Sequence, residues 1–246
     1  MRRFTTLAVT ATAGLAIVGS AYAVTVDQGL TVKTTGKKGT KTKPSNLKLN
    51  VTTTTNGKGD TKDGTYATKS AVIHFDKNLV FNPKAFPVCD SATVANTPEN
   101  CPKGSQVGTG SASASVGPAD PATGNQIKVN PTITAYNAKG NQLILQLTKK
   151  PGEVDSTGQL VGTLKKDSGK YGSKLVVPIP ARLQNQLGLA ITLTRFNTIV
   201  SGKIKKSGKT TYYAASKGCT GGKYNFGGDF VYSDDTKESV VTTSKC

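Results

Sequence analysis

Hydrophobic and polar residues alternate with a period of two along most of this chain, a pattern typical of β-strands with one buried face. In QIKVNPTITAY the apolar residues Ile127 and Ile133 lie on one face, and in NQLILQLTKK Leu143 and Leu147 do the same. The link between them, NAKGN at 137–141, is short and contains a glycine. This spacing predicts that the two strands pair as a hairpin.

The same alternation predicts strands elsewhere, and no segment carries the three-to-four spacing of an amphipathic helix. The further predicted strands are 46–54, 69–76, 106–117, 174–180, 189–201, 210–216, 223–233 and 238–244. A parallel sheet would need a helix between successive strands. We therefore predict an all-β domain over 46–246, an antiparallel two-sheet β-sandwich of about ten strands stapled by two disulfides.

Two positions within these strands carry specific expectations. Pro178 and Pro180 lack the N–H that a strand ladder needs, so their strand should lie at an edge or end early. His74, the only histidine, alternates with Ile73 and Phe75. It is expected to point out of its strand as an ordinary polar residue.

The chain begins with a pattern typical of a secretory leader. Arg2 and Arg3 precede an uncharged apolar run from Leu7 to Val18, and Ala21-Tyr22-Ala23 has the small residues of a cleavage site. The run is shorter than the ~20 residues that a membrane-spanning helix needs. We predict a Sec-type signal peptide over 1–23, cleavage after Ala23, and a mature protein that is secreted, extracellular or in the cell wall, without a membrane span.

Charge adds a possible class of partner. The chain has 32 basic and 14 acidic residues, and loss of the leader removes only Arg2 and Arg3, which leaves a net charge of +16. Arg182 and Arg195 are the remaining arginines, so the excess is almost all lysine. Lysine lacks the planar fork of arginine. This composition favours general attraction to polyanions such as acidic cell-wall polymers over specific reading of nucleic acid, although solubility alone also explains a high net charge.

The lysines are densest in two places. Residues 24–45 carry such a run with Gly and Thr between the charges, and they are predicted to form a flexible basic arm. A second run surrounds a Ser-Gly turn between two later strands. The candidate polyanion-binding residues are Lys33, Lys37, Lys38, Lys41, Lys43, Lys203, Lys205, Lys206 and Lys209.

The four cysteines are even in number, which in an exported protein indicates a disulfide framework. Three pairings are possible, and Cys89–Cys101 with Cys219–Cys246 is favoured because each pair brackets one local loop or hairpin. None of the four has the C-x-x-C spacing of a zinc site. We therefore predict neither a metal nor a cofactor, and no catalytic cysteine.

Other motifs of known chemistry leave one alternative open. The G-x-S-x-G, H-E-x-x-H, P-loop and calcium-loop patterns are absent, and the aspartates of GDTKDG (59–64) and SDD (233–235) are typical of turns. Two spatially paired carboxylates would be enough for a glycosidase-like hydrolase. Four tyrosines near the C-terminus predict either core packing or a flat binding platform: Tyr212, Tyr213, Tyr224 and Tyr232.

Several segments carry a family resemblance. FNPKAFPVCDSATV followed by CPKGSQVGTGSA, then YGSKLVVPIP and the closing CTGGKYNFGGDFVYSDD to SKC, resemble exported β-rich proteins of unassigned function from soil actinobacteria. The resemblance covers most of 45–246 and implies a secreted, disulfide-bonded sandwich without site residues to carry over. The sequence thus favours a secreted or envelope-associated, non-enzymatic structural or binding protein, with an extracellular hydrolase built from loop carboxylates as the alternative.

Overall fold

The computed structural model describes residues 25–58 and 64–246. The predicted signal peptide and most of the 59–64 aspartate cluster lie outside these residues. Seventeen strands occur in the described residues, and their bounds in chain order are β1 Val26–Gly36, β2 Ser45–Gly57, β3 Thr68–Asp76, β4 Leu79–Phe81, β5 Gln106–Val116, β6 Ile127–Val129, β7 Thr132–Ala138, β8 Gln142–Thr148, β9 Gly158–Lys166, β10 Tyr171–Pro178, β11 Asn185–Gln186, β12 Leu189–Val200, β13 Lys203–Lys206, β14 Lys209–Tyr212, β15 Ala214–Ser216, β16 Lys223–Tyr232 and β17 Lys237–Lys245.

One short α-helix interrupts this β structure. Helix α1 spans Ser91–Asn96, and the Asp90 side chain caps it by accepting the backbone N–H of Thr93 at 2.9 Å. Single 3-10 turns lie at Pro83–Ala85, Pro98–Asn100, Lys139–Asn141 and Ala181–Leu183. Six residues are too few to show an amphipathic stripe, and for this reason the sequence pattern did not predict α1.

Fifteen of the strands form one continuous antiparallel sheet, in the order β17-β16-β3-β10-β9-β8-β7-β5-β12-β2-β15-β4. Strand β1 pairs with β2, β11 with β12 and β6 with β5, while β13 and β14 form a separate hairpin. The all-β, antiparallel prediction is confirmed. The predicted division into two sheets is not, because ladder hydrogen bonds run through all fifteen strands.

This long sheet curls around one core. Inward-facing side chains from strands far apart in the sheet order, among them Leu49, Ile73, Leu145 and Phe230, belong to one cluster of buried residues. The two margins of the sheet also meet, since the backbone N–H of Thr34 on β1 donates to the Ser244 hydroxyl on β17 at 3.1 Å. A strongly twisted sheet of this width commonly closes on itself in this way.

The prediction of a flexible arm over 24–45 is wrong for residues 26–36. They form β1, which pairs with β2 along its whole length, from Val26 opposite Gly57 to Gly36 opposite Leu47. Val26 and Val32 are buried, and they lie on the same face of the strand. The lysine and threonine content obscured this alternation, and only the connection at 37–44 remains outside regular structure.

The hairpin prediction is confirmed, since β7 and β8 pair with Tyr136 opposite Ile144. Strand β10 ends at Pro178, as the prolines predicted, although it lies between β3 and β9 and not at an edge. Residues 127–129 do not continue β7: they form β6 and pair with β5. The ladder breaks at Pro131, which has no N–H to donate.

Both predicted disulfides are confirmed, with Cα–Cα distances of 5.3 Å for Cys89–Cys101 and 6.2 Å for Cys219–Cys246. The first closes the loop that carries α1. Val94 of the helix packs in a small separate cluster with Cys89, Tyr136 and Ile144. This disulfide therefore holds a cover over the outer face of β7 and β8.

Candidate lysine groove

The connections between antiparallel strands gather at two ends of the sheet, and the charges differ between them. We call the end where β1 stops and β2 begins the basic end. The register places Leu49 opposite Val200 and Val200 opposite Gly108, so β12 also ends there and β5 begins there. The connections β3–β4, β7–β8 and β9–β10 and the Cys219–Cys246 region lie at the same end.

Eighteen lysines lie in the connections at the basic end or within two residues of a strand end there. Only four acidic residues meet the same condition, Asp76, Asp90, Glu99 and Asp167. At the opposite end, seven basic residues are balanced by seven acidic ones among the described residues. The net positive charge of the chain is therefore concentrated at one end of the fold. The eighteen are Lys37, Lys38, Lys41, Lys43, Lys77, Lys84, Lys103, Lys139, Lys165, Lys166, Lys170, Lys203, Lys205, Lys206, Lys209, Lys217, Lys223 and Lys245.

A groove of about 510 Å³ lies within the basic end, and four of these lysines line it: Lys84, Lys165, Lys166 and Lys217. We call it the lysine groove. Its apolar wall includes Phe81 and Leu164, and its polar lining includes Asn82 and Ser173. Within the described part of the chain, the buried hydroxyl of Ser173 has no hydrogen-bond partner.

Short, firmly held segments position the four lysines. Lys84 sits in the 3-10 turn that follows β4, and Lys165 and Lys166 end β9, where they face Lys174 and Ser173 of β10. Lys217 follows β15, and its backbone N–H donates to the carbonyl of Asn78 at 2.9 Å. None of the ion pairs between described residues includes any of the four, so their charges are left to solvent or a ligand.

Both predicted lysine runs lie next to this groove. The 37–44 connection packs against β15 beside Lys217: a Cβ on Gly39 would lie 1.9 Å from the carbonyl oxygen of Ser216, so only glycine fits there. The β13–β14 hairpin is tied to the groove by Asn82, whose side chain donates to the Tyr212 carbonyl at 2.8 Å.

All nine predicted lysines are exposed, and Lys33 lies on β1 itself. Their role in binding stays a prediction. Sequence reasoning missed the four groove lysines because they are isolated or paired in the chain and converge only through the β4, β9 and β15 strand ends. The one available signal was the Lys165-Lys166 pair at the end of an alternating run.

A second polar cluster surrounds His74. Its Nδ1 lies 2.5 Å from Asp167 Oδ2 and its Nε2 lies 2.8 Å from Asp229 Oδ2, and the centroid of the Tyr171 ring lies 5.0 Å from that of His74, with the two ring planes tilted by 33°. Each ring nitrogen therefore has one carboxylate partner. The side chain lies on the face of β3 away from the buried Ile73 and Phe75, as the alternation predicted. It is only 14% exposed and is held between two carboxylates, so it is not an ordinary solvent-facing residue.

The two carboxyl groups of this cluster are held ionised. Burial raises the pKa of Asp167, but the hydrogen bonds from His74 and from the backbone N–H of Ser168 outweigh it, and the net pKa lies below its usual range. Burial likewise raises the pKa of Asp229, and the bonds from His74 and the Ser239 hydroxyl reverse the effect. Neither is the protonated acid that glycoside hydrolysis requires at neutral pH.

This cluster predicts a specific acid sensitivity. A carboxyl whose pKa is lowered by folding stabilises the protein above its unfolded pKa of about 3.9, and that stability is lost as the pH falls through the folded value. We expect the urea midpoint of the wild type to fall more steeply below about pH 4 than that of His74→Gln, in which the imidazole hydrogen bonds that lower the two carboxyl pKa values are gone. Parallel midpoint curves for the two proteins would contradict this role of His74.

The remaining candidate residues are structural. Tyr213, Tyr224 and Tyr232 are buried in the core, so they do not form a platform, and Tyr212 is half-buried. The predicted turn at SDD is confirmed, with Asp234 accepting the backbone N–H of Thr236.

Residues 25–58 and 64–246 contain no group of three or more His, Cys, Asp or Glu arranged to hold a metal. They also contain no helix long and apolar enough to cross a membrane.

Comparison of the chain with protein-family models, with curated proteins and with solved structures returns no match. The resemblance to exported actinobacterial proteins therefore stays a prediction, and the function has to be inferred from the charges and cavities of this fold.

Proposed function

We propose that this protein is a secreted or envelope-associated, non-enzymatic binding protein that holds a linear polyanion in the lysine groove. The observation that carries the proposal is the separation of charge: eighteen lysines and four acids at one end of the fold, around a groove whose four lysines make no ion pair among the described residues.

The binding mode follows from the side chains present. Lysine ammonium groups act as point charges, so they attract phosphate, sulfate or carboxylate without the fixed fork that selects one geometry. The exposed lysines of the 37–44 connection and the β13–β14 hairpin extend the positive surface beyond the groove, which suits a long chain better than a single small anion.

The hydrolase alternative has less support. It needs one carboxyl held protonated and a second one held ionised. The two carboxyls brought together around His74 both have lowered pKa values, and the Ser239 hydroxyl donates to Asp229 and not to His74.

Salt dependence tests the proposal. The mature protein should bind teichoic acid, heparin and polyglutamate at low ionic strength, with a logarithm of affinity that falls linearly with the logarithm of salt concentration, because bound lysines release counterions. Fluorescence anisotropy of labelled polymers measures this. Absence of binding to all three at low salt would leave the basic charge as a solubility device.

A further inference from the structure

The opposite end of the fold contains a cavity of a different character. Its volume is about 390 Å³, and its walls are apolar side chains of the curled sheet, including Ala114, Val116, Leu147 and Leu160. Binding pockets for small ligands fall in the range of about 300–1,000 Å³ and have mostly apolar walls with a few polar groups. This cavity therefore has the size and lining of a ligand site.

A smaller space lies next to this cavity, deeper in the protein. A second, inner space of about 100 Å³ shares the wall residues Leu160, Leu193 and Phe196 with it. Two buried hydroxyls line the inner space, those of Thr198 and Tyr213, and neither has a hydrogen-bond partner among the described residues. The lining of the inner space is almost wholly apolar.

The polar groups of the outer cavity are concentrated at its mouth. Arg182, from the 3-10 turn after β10, and Asp155 and Ser156, from the β8–β9 connection, line it there. The buried Ser156 hydroxyl has no hydrogen-bond partner in the part of the chain that the structure describes. The hydrogen bonds from Thr157 lower the pKa of Asp155 most, and the charges of Lys149 and Arg182 lower it further. Two cations therefore lie near one anion at the mouth.

One apolar side chain that lines the cavity is fully exposed at its mouth. Leu187 is 97% exposed. Leu187 and Gly188 form the tight turn between β11 and β12 with φ values of 52° and 82°. Such turns favour Asn-Gly, and leucine adopts this left-handed conformation only with strain. Leu187 therefore presents its whole side chain to solvent at the mouth of the cavity.

We propose that the cavity binds one amphipathic molecule with a single acyl chain and a carboxylate head group. The chain lies in the apolar interior and the carboxylate lies at the mouth, where Arg182 can bind it through two parallel hydrogen bonds and the Ser156 hydroxyl can donate a third. The exposed Leu187 contacts the chain as it enters. This site lies at the end opposite the lysine groove and does not depend on polyanion binding.

The test measures palmitate binding to the mature protein by calorimetry, with hexadecanol as the uncharged probe. We expect one palmitate per chain. Ala114→Phe fills the cavity and should weaken palmitate binding by at least about tenfold, a difference of about 1.4 kcal/mol. Ala122→Phe, which adds the same ring to an exposed loop, is the matched control and should leave it unchanged. Arg182→Gln should weaken palmitate binding several-fold and leave hexadecanol binding unchanged.

Equal palmitate affinity in Ala114→Phe and Ala122→Phe, or no saturable binding by the wild type, would overturn the proposal. Should Ala114→Phe not fold, methyl NMR of the wild type replaces it: palmitate should shift the signals of Val116, Leu147 and Leu160 but not those of Val240 or Val241. Shifts confined to the surface methyl groups would also overturn it.

Discussion

Replacing Lys84, Lys165, Lys166 and Lys217 by glutamine should weaken teichoic acid binding by about a hundredfold at low salt and flatten the log–log salt slope by as much as about 2.8, at the roughly 0.7 per phosphate that applies to single-stranded nucleic acid. The four lysines line one groove and have no acidic partner among the described residues. Their replacement should not lower the melting temperature, because surface charges without ion pairs contribute little to folding.

The matched control removes the same charge elsewhere. Lys128, Lys149, Lys150 and Lys237 lie towards the opposite end of the fold and are exposed. Changing these four lysines to glutamine should reduce the affinity for teichoic acid only by lowering the net charge of the protein. Salt screens this general attraction over about 10 Å. If both quadruple variants reduce affinity and slope equally, binding follows net charge and the groove has no special role.

The largest loss of stability is expected from Asp76→Ala. This carboxylate is 1% exposed at the end of β3. Its Oδ1 accepts the backbone and side-chain N–H groups of Asn78 at 2.8 and 2.9 Å, and its Oδ2 accepts the corresponding groups of Asn225 at 2.8 and 3.0 Å. Alanine would leave these donors unsatisfied, so the free energy of unfolding should fall by about 3–5 kcal/mol.

Asp120→Ala is the control for this change. Asp120 is an exposed turn residue that accepts the backbone N–H of Ala122, and its replacement should cost less than about 1 kcal/mol. Urea unfolding followed by circular dichroism measures both variants. Indistinguishable midpoints for Asp76→Ala and the wild type would show that the Asn78 and Asn225 groups find other partners, and that Asp76 does not join the start of β16 to β3.

The sequence predicted the strands that alternate cleanly and missed those whose pattern was interrupted. The β7–β8 hairpin and both disulfides follow from local spacing, and so they were predicted correctly. Strand β1 was missed because lysine and threonine occupy its outward positions and masked the buried valines. The buried outer face of β8 could not be predicted either, since Ile144 is covered by α1 only through a distant disulfide loop.

The candidate sites show the same division between local and long-range information. Lysine runs are visible in the chain, whereas the groove is assembled from β4, β9 and β15, which meet only in the folded sheet. The clamp on His74 was missed for the same reason, because Asp167 and Asp229 are 93 and 155 residues away. Period-two alternation assigns a side chain to a face, but it does not identify its neighbours on that face.

Lysine footprinting locates the polyanion directly. The mature protein is acetylated with and without saturating teichoic acid, and each lysine is quantified by peptide mass spectrometry. Bound polymer should protect Lys84, Lys165, Lys166 and Lys217 most strongly, the lysines of the 37–44 connection and the β13–β14 hairpin less, and Lys149 and Lys150 not at all. Uniform protection across the surface, or protection strongest at Lys149 and Lys150, would contradict a polyanion site in the lysine groove.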